Sequence, residues 1–358
     1  MSGLYILDFA AISAADHARV GGKCASLGQM TQAGVAVPPG FAVTTEAYAA
    51  MLDSHGLRAE IERHMTGLDP DDLDAIDRAA QAIRIRIRSH RLPEAAETAI
   101  RAAYARMAAD LGDDVPVAVR SSATAEDMPD ASFAGQQDTY LWVHGIDDVL
   151  DKVRDCWASL YTTRAVAYRE KNRIVQTDVL MSVGVQKMVN ARAAGVAMSL
   201  DPLNGDRTKI VIDASWGLGE MVVSGVVTPD NFTVEKVMEQ ITHRVISDKH
   251  VELVGDPVLG EAVEREVEAA RRRIQCLTDA EILAVARLAK RLEKQNKCPQ
   301  DVEWAIDADL PDGENLLALQ SRPETIWSQK KKADAPRTYA TGMAGIVGAL
   351  TNTMPVRR

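Results

Sequence analysis

Along the chain, stretches with apolar residues every three or four positions alternate with stretches where apolar residues are strictly spaced or run together. The first forty residues set glycine-rich turns against short apolar runs. GGKCASLGQMTQAGV reads as a loop opening a helix, and VPPGFAVT as a turn leading into a short strand. From Thr45 to about Leu111 the helical spacing takes over. EAYAAMLDSHGL, DLDAIDRAAQAIRIRIRSH and PEAAETAIRAAYARMAADLG each predict a helix, with Pro93 suited to a first helical turn. VPVAVRSSA then predicts a strand ending in a polar loop, and DTYLWVHG a second strand. GIDDVLDKVRDCWASLYTTRAVAYREK predicts one long amphipathic helix. VLMSVGVQKMV, GVAMSL, TKIVIDASW and NFTVEKV predict short strands between turns rich in Gly, Pro, Asn and Asp. EAVEREVEAARRRIQ and TDAEILAVARLAKRLEKQ predict helices, the second opened by a capping box with Thr278 as N-cap and Glu281 three residues on. DVEWAID and NLLALQS predict the last two strands.

This interleaving, without regular βαβ spacing, favours an α+β fold over a doubly wound parallel sheet. The 358 residues suffice for two or three packed lobes. We divide them at 1–195, with a helical segment at about 45–111, and 196–327. After Trp327 the composition turns charged and breaker-rich (SQKKKADAPRT), so 328–358 reads as linker and tail.

Composition narrows the function. Hydrophobic residues make up 46% and charged residues 26%, the values of an ordinary globular protein. A net charge of −10 argues against broad binding to nucleic acid or to anionic membrane, both of which need basic surface. No run of about 20 apolar residues is present to span a bilayer. The N-terminus lacks a basic region, and Asp8 interrupts its apolar run, so no signal peptide is expected. Cys24, Cys156, Cys276 and Cys298 form no C-x-x-C pair, and the expectation is reduced thiols in a cytoplasmic protein.

Two familiar phosphate loops fail. Gly22-Lys23 is followed by Cys24, not Ser or Thr, and has His17 where a Walker A glycine belongs. Gly217-x-Gly219 lacks the third glycine of a dinucleotide fingerprint, because position 222 is Val. Three other segments suit a triphosphate. Gly21-Gly22-Lys23 lets backbone approach an anion and adds a mobile charge. The stretch 117–139 delivers Arg120 at the end of an apolar strand, followed by Ser121, Ser122, Thr124, Gly135 and Thr139. Hydroxyls, backbone N–H groups and a guanidinium fork are what phosphate recognition requires. The third is the pair DVEWAID and LLALQSRP. Strand alternation puts Val302, Trp304 and Ile306 on one face and Asp301 and Glu303 on the other. In the partner, Leu317 and Leu319 face one way, and Ala318, Gln320 and Arg322 the other. Side by side, the two strands offer a carboxylate, an amide oxygen and a guanidinium, a set that suits Mg2+ shared with phosphate oxygens.

GGKCASLGQM, VPPGFAVTTEAY, VAVRSSATAEDMPDASFAGQQDT, VGVQKMV, GLGEMVVSGVVTPDNF, DVEWAID and LQSRPET together resemble the N-terminal ATP-binding domain of the phosphoenolpyruvate synthase, pyruvate phosphate dikinase and rifampin phosphotransferase family. These blocks run in family order from residue 21 to residue 327. The resemblance implies an ATP-grasp-like architecture, with ATP and Mg2+ in a cleft between two lobes. It implies that Lys23 and Arg120 contact the phosphates and that Gly135 and Thr139 belong to a loop covering them. Gln186 would face the nucleotide near the adenine end. Glu303, Gln320 and Arg322 would surround the metal and phosphates, with Glu303 and Gln320 as metal ligands and Lys23, Arg120 and Arg322 as catalytic residues.

Full-length members carry a further domain whose histidine accepts phosphate. None of the seven histidines here lies in such a motif. The arrangement resembles phenylphosphate synthase, whose ATP-grasp portion sits on a subunit of about this size and whose histidine sits on another. The resemblance therefore implies a dikinase-type phosphotransferase with a histidine-bearing partner subunit; truncation of a longer chain is the alternative. An ATP-grasp ligase, an antibiotic-phosphotransferase fragment and a non-catalytic ATP-sensing subunit stay open as other functions.

Overall fold

A computed structural model of the chain describes residues 2–112, 114–124, 138–256 and 258–327. The first half carries α1 (Ser2–Tyr5), β1 (Ile6–Asp8), α2 (His17–Gln32), β2 (Gly40–Val43), α3 (Thr45–Asp53), α4 (Leu57–Met65), α5 (Leu73–Ser89), α6 (Glu94–Leu111), β3 (Val117–Ala123), β4 (Thr139–Val143), α7 (Ile146–Ala158), α8 (Thr163–Lys171) and β5 (Met181–Lys187). Its strands form a five-stranded sheet in the order β1-β2-β5-β3-β4, antiparallel throughout. The second half carries β6 (Ala191–Met198), β7 (Lys209–Trp216), α9 (Glu220–Val223), β8 (Asp230–Glu235), β9 (Gln240–Val245), β10 (Val251–Asp256), β11 (Glu261–Glu266), α10 (Asp279–Asn296), β12 (Gln300–Asp307) and β13 (Leu316–Pro323). Here a six-stranded sheet runs β13-β12-β6-β7-β8-β9, and β10 and β11 form a separate ribbon. The expected α+β class is what the chain adopts. Residues 1–323 make one compact unit; 324–358 form a second, described only at 324–327, where the Trp327 amide donates to Glu324 Oε1 at 2.8 Å.

Each sheet has its own core. Apolar faces of α3 to α7, with Tyr48, Met51, Ile83, Ile100 and Trp157, close on Val117, Val119, Val183 and Val185 of the first sheet. Trp157 is fully buried, and its indole N–H donates to Met181 O at 3.2 Å, which satisfies the one polar atom that burial would strand. The second core joins Leu27 and Met30 of α2, Ile282 and Val285 of α10, and Ile212 and Trp304 of the six-stranded sheet. The helix α2 touches β3, β5 and β13 and so lies between the two sheets. Deep in the second half, the Lys249 ammonium pairs with Asp230 at 2.5 Å, both fully buried. Asp230 also accepts from the Ser247 and Cys276 amides, so both its oxygens are hydrogen-bonded and the buried charges are compensated.

Three sequence expectations are corrected. EAVEREVEAARRRIQ, expected to be a helix, supplies β11 instead. A turn wins over helix propensity there: Asp256 Oδ1 accepts from the Val258 and Leu259 amides, Gly260 takes a left-handed φ of +69°, and the chain folds back on β10. The long helix expected from Gly145 to Lys171 is two, α7 and α8. Thr162, extended at φ −71° and ψ 149°, breaks it and caps α8 through its hydroxyl, which accepts from the Ala165 amide. Third, Ala318 does not share a face with Gln320 and Arg322. The β12–β13 register slips between Glu303 and Trp304, so Glu303 faces Gln320 while Trp304 faces Ala318, and Leu319 is the extra residue of a bulge. Ala318 thereby packs into the second core and the alternation reverses at Leu319. The helix of GGKCASLGQM fares better: Gly21, at φ 68° and ψ 172°, interrupts α2 as a loop would, and the helix proper continues after it.

Candidate functional site

Strand register builds the site. Gln320, Glu303, Val196, Asp213 and Asn231 pair in succession across β13, β12, β6, β7 and β8, forming one transverse row. Two residues along, Arg322, Asp301 and Met198 form the next row of the same face. All of these side chains but Asn231, with Val222 and Val223 of α9, line an open cleft of about 230 Å³. The carboxylate, amide and guanidinium expected to come together on this surface do so, and the bulge at Leu319 is what brings Gln320 and Arg322 round to it.

Arg120 reaches this face from the other sheet. Its side chain leaves β3, and Nη1 donates to Leu319 O at 3.1 Å, the carbonyl that the bulge turns outward. Nη2 donates to Gln320 Oε1 at 2.8 Å and stands 3.5 Å from Glu303 Oε2. The side chain is only 16% exposed, so these contacts are weakly screened. Its Nε makes no hydrogen bond within the described residues. Arg322 is more open, at 60%, and lies 3.7 Å from Asp301 across the register.

The Gly21-Gly22-Lys23 turn is stitched to the end of β3. The Cys24 amide donates to Ser122 Oγ at 3.2 Å, Ser122 Oγ donates to Val20 O at 2.8 Å, and Lys23 Nζ donates to Ser121 O at 3.2 Å. A Cβ at Gly21 would lie 2.2 Å from Ser122 O, so only glycine permits this apposition. Lys23 and Arg120 are thereby carried by adjoining backbone. Burial pushes the Cys24 thiol up to about 11, against the opposing hydrogen bonds of Ser122 and Ser182, which makes it a packing residue.

The other expected residues divide. Thr139 opens β4, exposed, opposite Arg120 in the register. Gln186 is buried on β5 with its amide donating to Pro38 O at 3.2 Å, and it is not among the residues lining the cleft. Gly135 lies outside the described residues. Sequence reasoning passed over Asp213, although a single carboxylate in the apolar run KIVIDASW was a usable signal. Asp213 is half-buried on an interior strand; burial raises its pKa, and Asn231 Nδ2, donating to Oδ1 at 2.7 Å, opposes the shift. Among the described residues, no three His, Cys, Asp or Glu side chains converge to hold an ion by themselves.

Residues 17–343 match the family described as pyruvate phosphate dikinase, AMP/ATP-binding domain. The chain belongs to this family. It is 43% identical over 341 residues to a probable phosphoenolpyruvate synthase of Staphylothermus marinus, covering 89% of this chain and 41% of that protein. The phosphoenolpyruvate synthase of Pyrococcus furiosus is 40% identical over 372 residues, covering 93% of this chain and 45% of the relative. That of Neisseria meningitidis serogroup B is 40% identical over 355 residues, with 95% and 44% covered. The chain thus spans less than half the length of these relatives. The family-level expectation of an ATP-binding domain of dikinase type holds, and no helix among the described residues is long and apolar enough to cross a membrane.

Proposed function

We propose that this chain binds Mg-ATP in an ATP-grasp-like cleft between two lobes, one built on each sheet, and performs the ATP-cleaving half of a dikinase-type phosphotransfer. The single observation that carries the reading is Arg120, which spans from β3 to the paired oxygens of Glu303 and Gln320 on the other sheet. The donor set fits Mg2+: a carboxylate and an amide oxygen face each other in register, and a cationic nitrogen already sits upon them. Glu303 and Gln320 would hold the ion, which when bound offsets phosphate charge. Lys23, Arg120 and Arg322 would bind phosphate oxygens, Thr139 and Gly135 would belong to the loop over them, and Gln186 would lie toward the adenine. Arg120 and Lys23 hold positive charge where negative charge develops, the main service a protein offers to phosphoryl transfer.

In this reading a histidine nitrogen attacks the β-phosphorus, an N–P bond forms, the α–β bridging P–O bond breaks, and AMP leaves with the electron pair. Water then cleaves the β–γ bridge and releases Pi, leaving phosphohistidine. No histidine among the described side chains lines the cleft, so we place the acceptor on a domain or subunit outside these residues, a separate subunit being the arrangement of phenylphosphate synthase, where phenol receives the phosphate. The test is product identity with a histidine-bearing polypeptide supplied. AMP and Pi support the reading; ADP with an acid co-substrate would make the chain a ligase.

A further inference from the structure

Asp213 lies in the same transverse row as Glu303 and Gln320, with β6 between it and Glu303, and its side chain lines the same cleft. Among the described residues no lysine or arginine pairs with it; the Asn231 amide donates to Oδ1 and holds the carboxylate. A half-buried carboxylate on an interior strand, with no cation beside it, costs stability unless something supplies positive charge. Val196, its neighbour toward Glu303, is apolar and supplies none. Resting on the reading above, we propose that Asp213 is a positioning residue for the cation site, acting through water ligands of the ion held by Glu303 and Gln320.

The spacing leaves room for that role. Residues two strands apart have Cα atoms about 9.6 Å from each other, a gap wide enough for a water between the carboxylate and the ion. Mg2+ keeps several waters and takes only one or two carboxylates directly, and no three acidic side chains converge among the described residues. Carboxylates that accept hydrogen bonds from a metal's waters orient the shell, and losing one typically weakens metal binding about 10- to 100-fold. The sign of the stability effect is opposite. The folded pKa of Asp213 is raised, so the folded state holds this proton more tightly than the unfolded chain. Stability from this group is therefore greatest below the ordinary carboxylate range and is lost as pH rises through the raised pKa. A cation bound beside the carboxylate offsets the cost of its charge.

The experiment measures the affinity of the whole chain for β,γ-imido-ATP with and without Mn2+, together with thermal unfolding of the ligand-free protein. Asp213→Asn keeps the acceptor for Asn231 and removes the charge. The expected result is a Mn2+-dependent gain in affinity reduced about tenfold or more, metal-free affinity unchanged or improved, and a ligand-free Tm equal to or above the parent's. Glu303→Gln serves as the reference. If Glu303→Gln abolishes the Mn2+-dependent gain and Asp213→Asn leaves it intact, the role of Asp213 is overturned and the site stands. If both variants keep the full gain, the cation site itself is misplaced. A lowered Tm with metal-free and metal-dependent affinity falling together would make Asp213 merely structural and overturn the inference.

Discussion

Arg120→Ala separates stability from function because its contacts are few and defined. In the ligand-free chain the guanidinium donates to Leu319 O and Gln320 Oε1 and pairs with Glu303. Hydrogen bonds to a charged group contribute about 1.5–3 kcal/mol each when the partners are fully sequestered. Here Glu303 is 27% exposed and the cleft is open, so water replaces much of what is lost. A net destabilisation of about 1–2 kcal/mol follows, a fall in Tm of a few degrees. Through the proposed phosphate contact, the expected functional loss is larger. Removing a preorganised charge from the phosphates costs about 100-fold or more, at least about 2.7 kcal/mol of transition-state stabilisation. One further consequence distinguishes this account from general damage. Arg120 Nη2 occupies the two oxygens assigned to the cation, so its removal should tighten Mn2+ binding to the nucleotide-free chain by about tenfold, the equivalent of one displaced charge-assisted bond. Calorimetry would follow Mg-ATP, electron paramagnetic resonance would follow Mn2+, and AMP formation would be assayed with the histidine-bearing polypeptide added. AMP formation within about threefold of the parent, with unaltered Mn2+ affinity, would refute the reasoning. Arg120→Lys should keep part of the charge effect and lose the fork, giving an intermediate rate.

Gly21→Ala forces a Cβ to 2.2 Å from Ser122 O at φ +68°; unfolding should show a loss of about 1–3 kcal/mol, with weakened ATP affinity by titration. Lys249→Met strands Asp230 in the core and should cost about 3–5 kcal/mol, most of it recovered in the double variant with Asp230→Asn, as denaturant melts would reveal. Gly255→Ala puts a Cβ at 1.9 Å from the Trp142 ring, so Trp142 must leave its seat on β10, and a shift in tryptophan emission should report it. A thiol reagent at neutral pH should modify the partly exposed Cys298 first and spare Cys24, whose thiol burial pushes up to about 11; Cys24 labelling at a matching rate would contradict the packing.

Legibility in the sequence followed the physics of each segment. The capping box of Thr278 and Glu281 is a local motif, and it forms as read. Glu303 and Gln320 were legible from strand alternation and Arg120 from its place on an apolar strand before a polar stretch, each alongside family motifs, and the structure brings them within hydrogen-bonding or ion-pair reach. What alternation could not show was the bulge at Leu319, since one extra residue reverses every face beyond it. EAVEREVEAARRRIQ carries helix-forming residues, yet its conformation is decided by Asp256 and Gly260 just before it and by pairing with β10. Asp213 was missed because its meaning comes from the third dimension. Only sheet order places it two strands from Glu303, across β6.

In the proposed reaction the β-phosphoryl of ATP leaves this chain for a histidine elsewhere. Purified chain, Mg2+ and ATP labelled at either the β or the γ position, incubated with and without extract of the native host, test it directly. AMP as product and persistent β-label on a separate protein, acid-labile and base-stable, are expected. Label from the γ position alone, or ADP as sole product, would contradict it.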